Sequence, residues 1–207
     1  MTSPADNNRE FDSVESRVHE LQRQIKKQRV IIALLGAGGR GLAERRTVAS
    51  ELRGLGFNTI IPEDALPLEV SPSIAEPELL AWPELDLAFL NIESWGSASE
   101  FAQFQSDSRI ANKLRVIVPR RHHPLYGSGV SSGYLTDMYL THDAVFGHVY
   151  MHDDGSAADG SLPSAKEIII TISQRFRQWK AINSSEFDLF NILICQLLQH
   201  QLQYVIV

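Results

Sequence analysis

A glycine-rich run directly after a buried apolar segment has the residue types and spacing to bind a ligand. It matches the pattern G-x-G-x-x-G and contains Gly36, Gly38, Gly39, Arg40 and Gly41. Glycines let a ligand approach the backbone closely, and the free N–H groups at a helix start attract phosphate. An arginine adds a planar two-pronged anion donor. We therefore expect a small anionic group to bind here, the alternative being a tight turn without a ligand.

A carboxylate pair closes the next predicted strand, about 20 residues after the glycine run. Glu63 and Asp64 occupy the place where an acidic residue accepts hydrogen bonds from ribose hydroxyls in dinucleotide-binding folds. A dehydrogenase would also need a substrate domain, for which the chain leaves little length. The sequence therefore favours contact with some ligand at the glycine run over a classical dinucleotide site.

A second polar segment follows the third predicted strand. Its candidate residues are Asn91, Ser94, Trp95, Gly96, Ser97 and Glu100. Trp95 can stack on a base or ribose, or pack over its loop. Glu100 has two interpretations. It can be a nucleophile or general base at the rim of a crevice, and it can be the third residue of a capping box whose N-cap is Ser97. The two roles are compatible, because a capping glutamate faces the helix start where a ligand would bind.

The elements that must position these residues alternate along residues 29–180. Predicted strands lie at 30–35, 57–61, 85–92, 114–118 and 144–151, and predicted helices at 43–55, 76–82, 97–112, 131–141 and 164–180. This alternation indicates an α/β fold with a parallel sheet and right-handed crossovers. Five strands favour a flavodoxin-like, doubly wound order 2-1-3-4-5. In that order strands one and three are neighbours, and their loops converge at the ligand-binding crevice.

Apolar-faced helices are predicted at both ends of this domain. In residues 1–28, Phe11, Val14, Val18, Leu21 and Ile25 form a short heptad seam. Residues 181–207 contain a predicted helix at 186–200 and end in an apolar run. We expect these segments to serve a homo-oligomer or a larger complex, although the chain is alternatively part of a longer protein.

Composition excludes several classes of protein. The chain has 207 residues, of which 43% are hydrophobic and 21% charged, so disorder is not expected. No apolar run is long enough to cross a membrane. The formal net charge of −6 disfavours bulk nucleic-acid binding. The polar first ten residues lack a signal-peptide pattern, which favours a cytoplasmic protein.

Metal chemistry is not expected from this sequence. Cys195 is the only cysteine, which excludes an internal disulfide and a cysteine cluster. His142, His148 and His152 lie near the fifth predicted strand with acidic neighbours, but they are more simply polar edge and loop residues than ligands. We expect no metal and no required cofactor.

The order of the motifs resembles that of nucleoside 2-deoxyribosyltransferase-like proteins. The relevant segments are the strand and glycine run, then GFNTIIPED, then LDLAFLNIESWGSASEF, within residues 29–152. The chain is also similar to the nucleotide-binding superfamily that includes lysine-decarboxylase-like phosphoribohydrolases, and more distantly to TIR domains. These families share a flavodoxin-like sheet and act on N-glycosidic bonds or bind nucleotides.

The resemblance implies roles for particular residues. Gly96, Ser97 and Glu100 match a G-[ST]-x-x-E element whose glutamate attacks the anomeric carbon, and Asp86 matches an aspartate that opens the third-strand segment. The chain departs from the pattern at Asn91 and Ser94, where the family has acidic residues, and its first loop is richer in glycine. These departures favour a phosphorylated ligand, a nucleotide or NAD, over a free nucleoside.

The expected function is therefore cleavage or transfer of an N-glycosidic bond. The sugar C1 would lie near Glu100, the phosphate on the glycine run and the base near Trp95. The alternatives are a non-catalytic module that senses a nucleotide and an assembly subunit with a vestigial pocket.

Overall fold

A computed structural model describes residues 27–67, 71–123, 133–155 and 162–183, together with Arg23. One compact unit is Arg29–Ser173, and the described residues outside it belong to a second unit. The predicted helix at 186–200 and all of the predicted heptad segment except Arg23 lie outside the described residues. No helix within the described ranges has both the length and the apolarity needed to cross a membrane.

Five parallel strands form one sheet in the order β2-β1-β3-β4-β5. They are β1 (Ile31–Gly36), β2 (Asn58–Ile60), β3 (Leu87–Asn91), β4 (Leu114–Pro119) and β5 (Val149–His152). All six residues of β1 are buried, as its unbroken apolar sequence requires for a strand covered on both faces. The flavodoxin-like α/β fold class predicted from the sequence is confirmed.

Seven helices are described around the sheet. They are α1 (Arg40–Gly54), α2 (Pro62–Ala65), α3 (Pro72–Leu80), α4 (Trp95–Gln105), α5 (Ser108–Ala111), α6 (Tyr134–Phe146) and α7 (Ala165–Asn183), and a 3-10 turn spans Arg120–His122. Helix α1 begins three residues earlier than predicted, so Arg40 and Gly41 lie in its first turn.

The main hydrophobic core lies on one face of the sheet. There Leu35 and Leu90 pack with Phe101 of α4 and Tyr139 of α6. Side chains alternate between faces along a strand, so Leu34 and Phe89 point to the opposite face. The two polar segments therefore begin at the carboxyl end of the sheet, where helices pack against both faces.

The predicted boundary between the helix at 131–141 and the strand at 144–151 is wrong. Helix α6 runs to Phe146, where a strand was expected from residue 144. The buried residues Met138, Tyr139 and His142 follow helical spacing, and the helix ends only at Gly147, whose φ of 65° is the left-handed conformation of a helix C-terminus. The apolar residues after 144 belong partly to the helix, and β5 is correspondingly short.

The predicted helix at 97–112 is also wrong in its bounds, because the structure divides it into α4 and α5. Asp107 adopts an extended backbone, and its side chain accepts a hydrogen bond from Arg109 N. An aspartate in this position starts a new helix. Helix α3 begins at Pro72 instead of residue 76, since proline suits the first helical position.

Candidate functional site

The two polar segments of the sequence lie side by side at the carboxyl end of the sheet. Strands β1 and β3 pair in parallel, with Gly36 opposite Asn91. Gly36 has a φ of 146°, and a Cβ there would lie 3.0 Å from the carbonyl oxygen of Asn91. A Cβ on Gly41 would lie 3.1 Å from Glu93 Oε2. Glycine at these positions therefore permits the close approach of the two segments.

A cavity of about 350 Å³ opens beside this junction. Its lining comes from the ends of β1, β3 and β5 and from the first turns of α1 and α7. Leu34, Phe89, Val48 and Ile169 supply apolar surface, and polar side chains complete the wall. A mainly apolar hollow with a few polar groups is typical of a small-molecule site.

Asn91 and Glu93 form one polar corner of the cavity. Asn91 Nδ2 donates to Glu93 Oε1 at 2.7 Å, which fixes the amide orientation because only the nitrogen can donate to a carboxylate. Glu93 thus joins the polar residues expected at this crevice, although its position between two candidates in the sequence had suggested no role for it.

Three of the four arginines of the first helix, those nearest the glycine run, each have a carboxylate partner. Arg40 Nε donates to Glu44 at 2.8 Å, and Arg46 pairs with Asp64. Arg45 is only 7% exposed and donates through both terminal nitrogens to Glu63. The positive charge near the glycine run is therefore largely balanced within the protein, and the Glu63 carboxylate binds an arginine at the place where a ribose contact was expected.

The predicted capping box is wrong by one helical turn. Helix α4 begins at Trp95, its N-cap is Ser94, and the Ser94 and Ser97 side chains each bond the other's backbone N–H. Ser94 has the extended backbone that an N-cap needs, whereas Ser97 is already helical. Glu100 therefore lies in the second turn and has no capping role.

Glu100 is a half-buried carboxyl group of α4, within electrostatic reach of Glu76 in α3. Burial, followed by repulsion from Glu76 and Glu63, raises its pKa to about 7, against a smaller opposing effect of Arg45. Within the described part of the chain, its carboxylate forms no hydrogen bond or ion pair. A carboxyl that titrates near neutral pH is suited to proton transfer.

Asp86 lies at the amino-terminal end of the parallel strands, opposite to the two polar segments. Its Oδ2 accepts a hydrogen bond from Ile31 N at 2.9 Å, at the start of β1. Asp86 precedes β3 and Glu100 follows it, so parallel pairing places them at opposite ends of the strands. The structure gives Asp86 a role in aligning β1 with β3.

Trp95 and Ser94 line a second cavity, of about 510 Å³, with Tyr134 and Arg121. Trp95 is 89% exposed. Glu93 lines both cavities, whereas the glycine run contributes only to the first. The predicted base and phosphate positions therefore fall in two neighbouring hollows.

The remaining predicted residues line neither of these two hollows. Gly39 is the N-cap of α1, with a φ of 58°, and Gly38 precedes it. Gly96 and Ser97 belong to the first turn of α4. Arg40 and Glu63 are the paired residues described above, and Glu100 likewise contributes to neither lining.

Two histidines of the fifth-strand region belong to a buried polar network. His148 Nδ1 lies 2.7 Å from Arg115 Nη1, and burial followed by the arginine charge lowers the pKa of His148 to about 3. Burial also lowers the pKa of His142, whose Nε2 lies 3.3 Å from the Leu114 carbonyl. Across the described ranges, no three His, Cys, Asp or Glu side chains form a group able to hold a metal ion.

No family model matches the chain, and no curated protein matches it significantly. Its function is therefore argued from the site.

Proposed function

We propose that this chain cleaves or transfers the N-glycosidic bond of a nucleotide or NAD-like ligand, with Glu100 as the reacting carboxylate. The proposal rests on the burial and the raised pKa of Glu100. It is half-buried, has a pKa of about 7, and lies within electrostatic reach of Arg45 at the carboxyl end of β1. With the capping role assigned to Ser94 and Ser97, a structural reason for this glutamate is lacking among the described contacts.

The chemistry needs one carboxylate beside the sugar C1. In the proposed step, the ionised Glu100 carboxylate bonds to C1 as the bond from C1 to the base nitrogen breaks and its electron pair leaves with the base. A purine or pyrimidine base then takes a proton from solvent water, and nicotinamide leaves as a neutral molecule. Water, or an acceptor nucleophile, then displaces the glutamate and restores the free carboxylate. The oxocarbenium-like transition states gain from the adjacent negative charge.

The ligand phosphate is proposed to lie at the start of α1. The first turn of this helix holds no acidic residue, and no described side chain caps Gly39. Gly41 N–H donates to the Gly38 carbonyl oxygen, so the anion would bind the helix dipole and the N–H groups of Arg40 and Leu42. This arrangement relies on the backbone, since the nearby arginines are already paired.

Base release tests the proposal directly. Purified protein is incubated with NAD and a panel of nucleoside mono- and diphosphates, and free base is measured by chromatography. We expect release by the wild type and a loss of at least about 100-fold in Glu100→Gln. Glu78→Gln, an exposed carboxylate on α3, is the matched control. Absence of release by the wild type, or equal release by Glu100→Gln, contradicts the proposal.

A sensing module is the second candidate, and one observation favours it. Glu100 is not among the residues that line the 350 Å³ cavity, so a ligand can fill that cavity without touching the carboxylate. Saturable nucleotide binding by calorimetry, without base release, would favour sensing over catalysis. An assembly subunit depends on the terminal segments and is tested by light scattering before and after deletion of residues 1–28.

A further inference from the structure

Glu93 lies where the two cavities at the carboxyl end of the sheet meet. Of the lining residues that the structure describes, it alone belongs to both cavities, and it is exposed. It follows the end of β3 by two residues and precedes Ser94, the N-cap of α4. A ligand that extends from one cavity into the other therefore passes this carboxylate.

Two contacts hold the Glu93 side chain in place. Its Oε1 accepts a hydrogen bond from Asn91 Nδ2 at 2.7 Å. Its Oε2 lies close to Gly41, where a Cβ would come within 3.1 Å of it. Across the described ranges, Oε2 accepts no hydrogen bond. The side chain is therefore already ordered, and one of its oxygens can bind a donor at a low cost in side-chain entropy.

The chemistry of a carboxylate restricts which part of a ligand can lie against Glu93. A carboxylate accepts hydrogen bonds and repels anions, so the ligand must present donors there. A phosphate has only acceptors and a negative charge. The hydroxyls of a ribose are donors, and an acidic residue that accepts from them is a common means of recognising this sugar. Of the parts of a nucleotide, the sugar therefore suits Glu93 best.

The second cavity has the aromatic surface that a base needs. Trp95 is 89% exposed and Tyr134 is 79% exposed, and they are the first residues of α4 and α6. Both line the cavity, together with the apolar side chains of Ile92 and Leu135. Aromatic rings this exposed contribute little to the packing of the fold, and beside a cavity they suit stacking on a heteroaromatic base.

We propose that a nucleotide spans the two cavities, with its base in the second and its ribose hydroxyls bonded to Glu93, so that Glu93 selects ribose over 2-deoxyribose. The nucleotide character of the ligand rests on the proposed function, and the phosphate keeps the position given to it there, at the start of α1. Recognition of the sugar does not require bond cleavage. The assignment therefore applies to a catalytic and to a sensing protein alike.

Calorimetry with the 5′-monophosphates of adenosine, guanosine, cytidine and uridine, and with their 2′-deoxy forms, tests the role of Glu93. We expect the wild type to bind at least one ribonucleotide about tenfold or more tightly than its 2′-deoxy form, as for one hydrogen bond to a charged group. Glu93→Gln, of the same size, should reduce this ratio to about threefold or less. Glu44→Gln, at an exposed carboxylate that lines the first cavity alone, should keep the wild-type ratio.

A second variant locates the base. Trp95→Ala replaces an exposed residue with a good helix former, so the fold should be retained. We expect it to bind the preferred ribonucleotide about tenfold more weakly, through the loss of stacking, and to bind ribose 5-phosphate, which has no base, like the wild type. Trp82→Ala, at a tryptophan that lines neither cavity, should bind both compounds like the wild type.

The outcomes separate this inference from the catalytic proposal. A preference for ribose that depends on Glu93, without base release, supports the inference and contradicts catalysis. Base release that is equal for ribose and 2-deoxyribose substrates, in the wild type and in Glu93→Gln, overturns the inference and leaves catalysis standing. A preference for ribose that persists in Glu93→Gln, nucleotide binding that is unchanged in Trp95→Ala, or failure of every nucleotide to bind the wild type also overturns the inference.

Discussion

Arg45 binds Glu63 through both of its terminal nitrogens, with N–O distances of 3.0 and 2.6 Å. The same guanidinium donates to the carbonyl oxygens of Leu34 and Ala37, at 3.3 and 2.9 Å. One buried side chain therefore joins the first helix, the end of the first strand, the start of the glycine run and the segment after the second strand. Arg45 therefore ties together the elements that line this part of the first cavity.

Removing the Glu63 charge should destabilise the fold. Glu63→Gln leaves the buried Arg45 guanidinium without its counter-charge, and we expect a loss of about 2 kcal/mol in the free energy of unfolding. The measurement is urea denaturation followed by circular dichroism. Asp64→Asn is the matched control, because its partner Arg46 is exposed and such pairs contribute about 1 kcal/mol or less. Equal losses in the two variants would contradict a special role for the Arg45 pair.

The serine pair that starts α4 should contribute measurable stability. Ser97 Oγ accepts from the backbone N–H groups of Glu93 and Ser94, both at 3.1 Å. Ser97→Ala leaves these donors without that acceptor, and we expect a loss of about 1 kcal/mol or more. Ser99→Ala, on the exposed side of the same helix, should change stability by less than about 0.5 kcal/mol. Thermal unfolding of the two variants measures the difference, and equal losses in both would contradict the role of Ser97 at the start of α4.

The fold was predictable because the signals for it are local. An unbroken apolar run specifies β1, and the helical segments between strands require parallel pairing. The strand count then favoured the order that the structure has. The start of α4 was not predictable in the same way. Ser94, Ser97 and Ser99 all suit an N-cap, and the choice depends on which residue takes an extended backbone when β3 ends.

The site was predictable only where topology alone decides it. Strand order brings Gly36 beside Asn91, and this needs no knowledge of side-chain contacts. The Arg45–Glu63 pair is different, because an acidic residue after the second strand suits a ribose or an arginine equally well. Nor does any spacing rule reveal that His152 faces the same cavity as the first helix, because that depends on packing of α7 against the sheet.

Gly147 should be required for its backbone conformation alone. It ends α6 with a φ of 65°, and no described atom lies within 4 Å of a Cβ placed there. Gly147→Ala should therefore cost about 1 kcal/mol through the left-handed conformation. Gly54→Ala, at the last position of α1 and with equally open surroundings among the described atoms, should be neutral or stabilising by up to about 1 kcal/mol. Chemical denaturation should show a lower free energy of unfolding for Gly147→Ala and an equal or higher one for Gly54→Ala. An equal loss of stability in both variants would contradict the conformational explanation.

Glu100 should make stability depend on pH around neutrality. Its pKa is raised in the folded protein from 4.5 to about 7, so the folded protein holds this proton more tightly than the unfolded chain. The stabilisation is fully present below pH 4.5 and is lost as the pH rises through 7. Glu100→Gln has a neutral side chain at every pH, so the fall in the free energy of unfolding with rising pH should disappear. Allowing for solvent screening, we expect the free energy of unfolding of the variant at pH 8 to be higher than that of the wild type by about 1 kcal/mol.

Denaturation curves from pH 4 to 8 for the wild type, Glu100→Gln and Glu78→Gln measure this effect. The exposed Glu78 should leave the profile parallel to that of the wild type. Parallel profiles for wild type and Glu100→Gln would mean that solvent reaches the Glu100 carboxyl freely, which would remove both the raised pKa and the main support for a catalytic role. A flattened profile with normal folding would instead establish that Glu100 titrates near neutral pH, so that a substantial fraction of it is the ionised nucleophile at pH 7 and above.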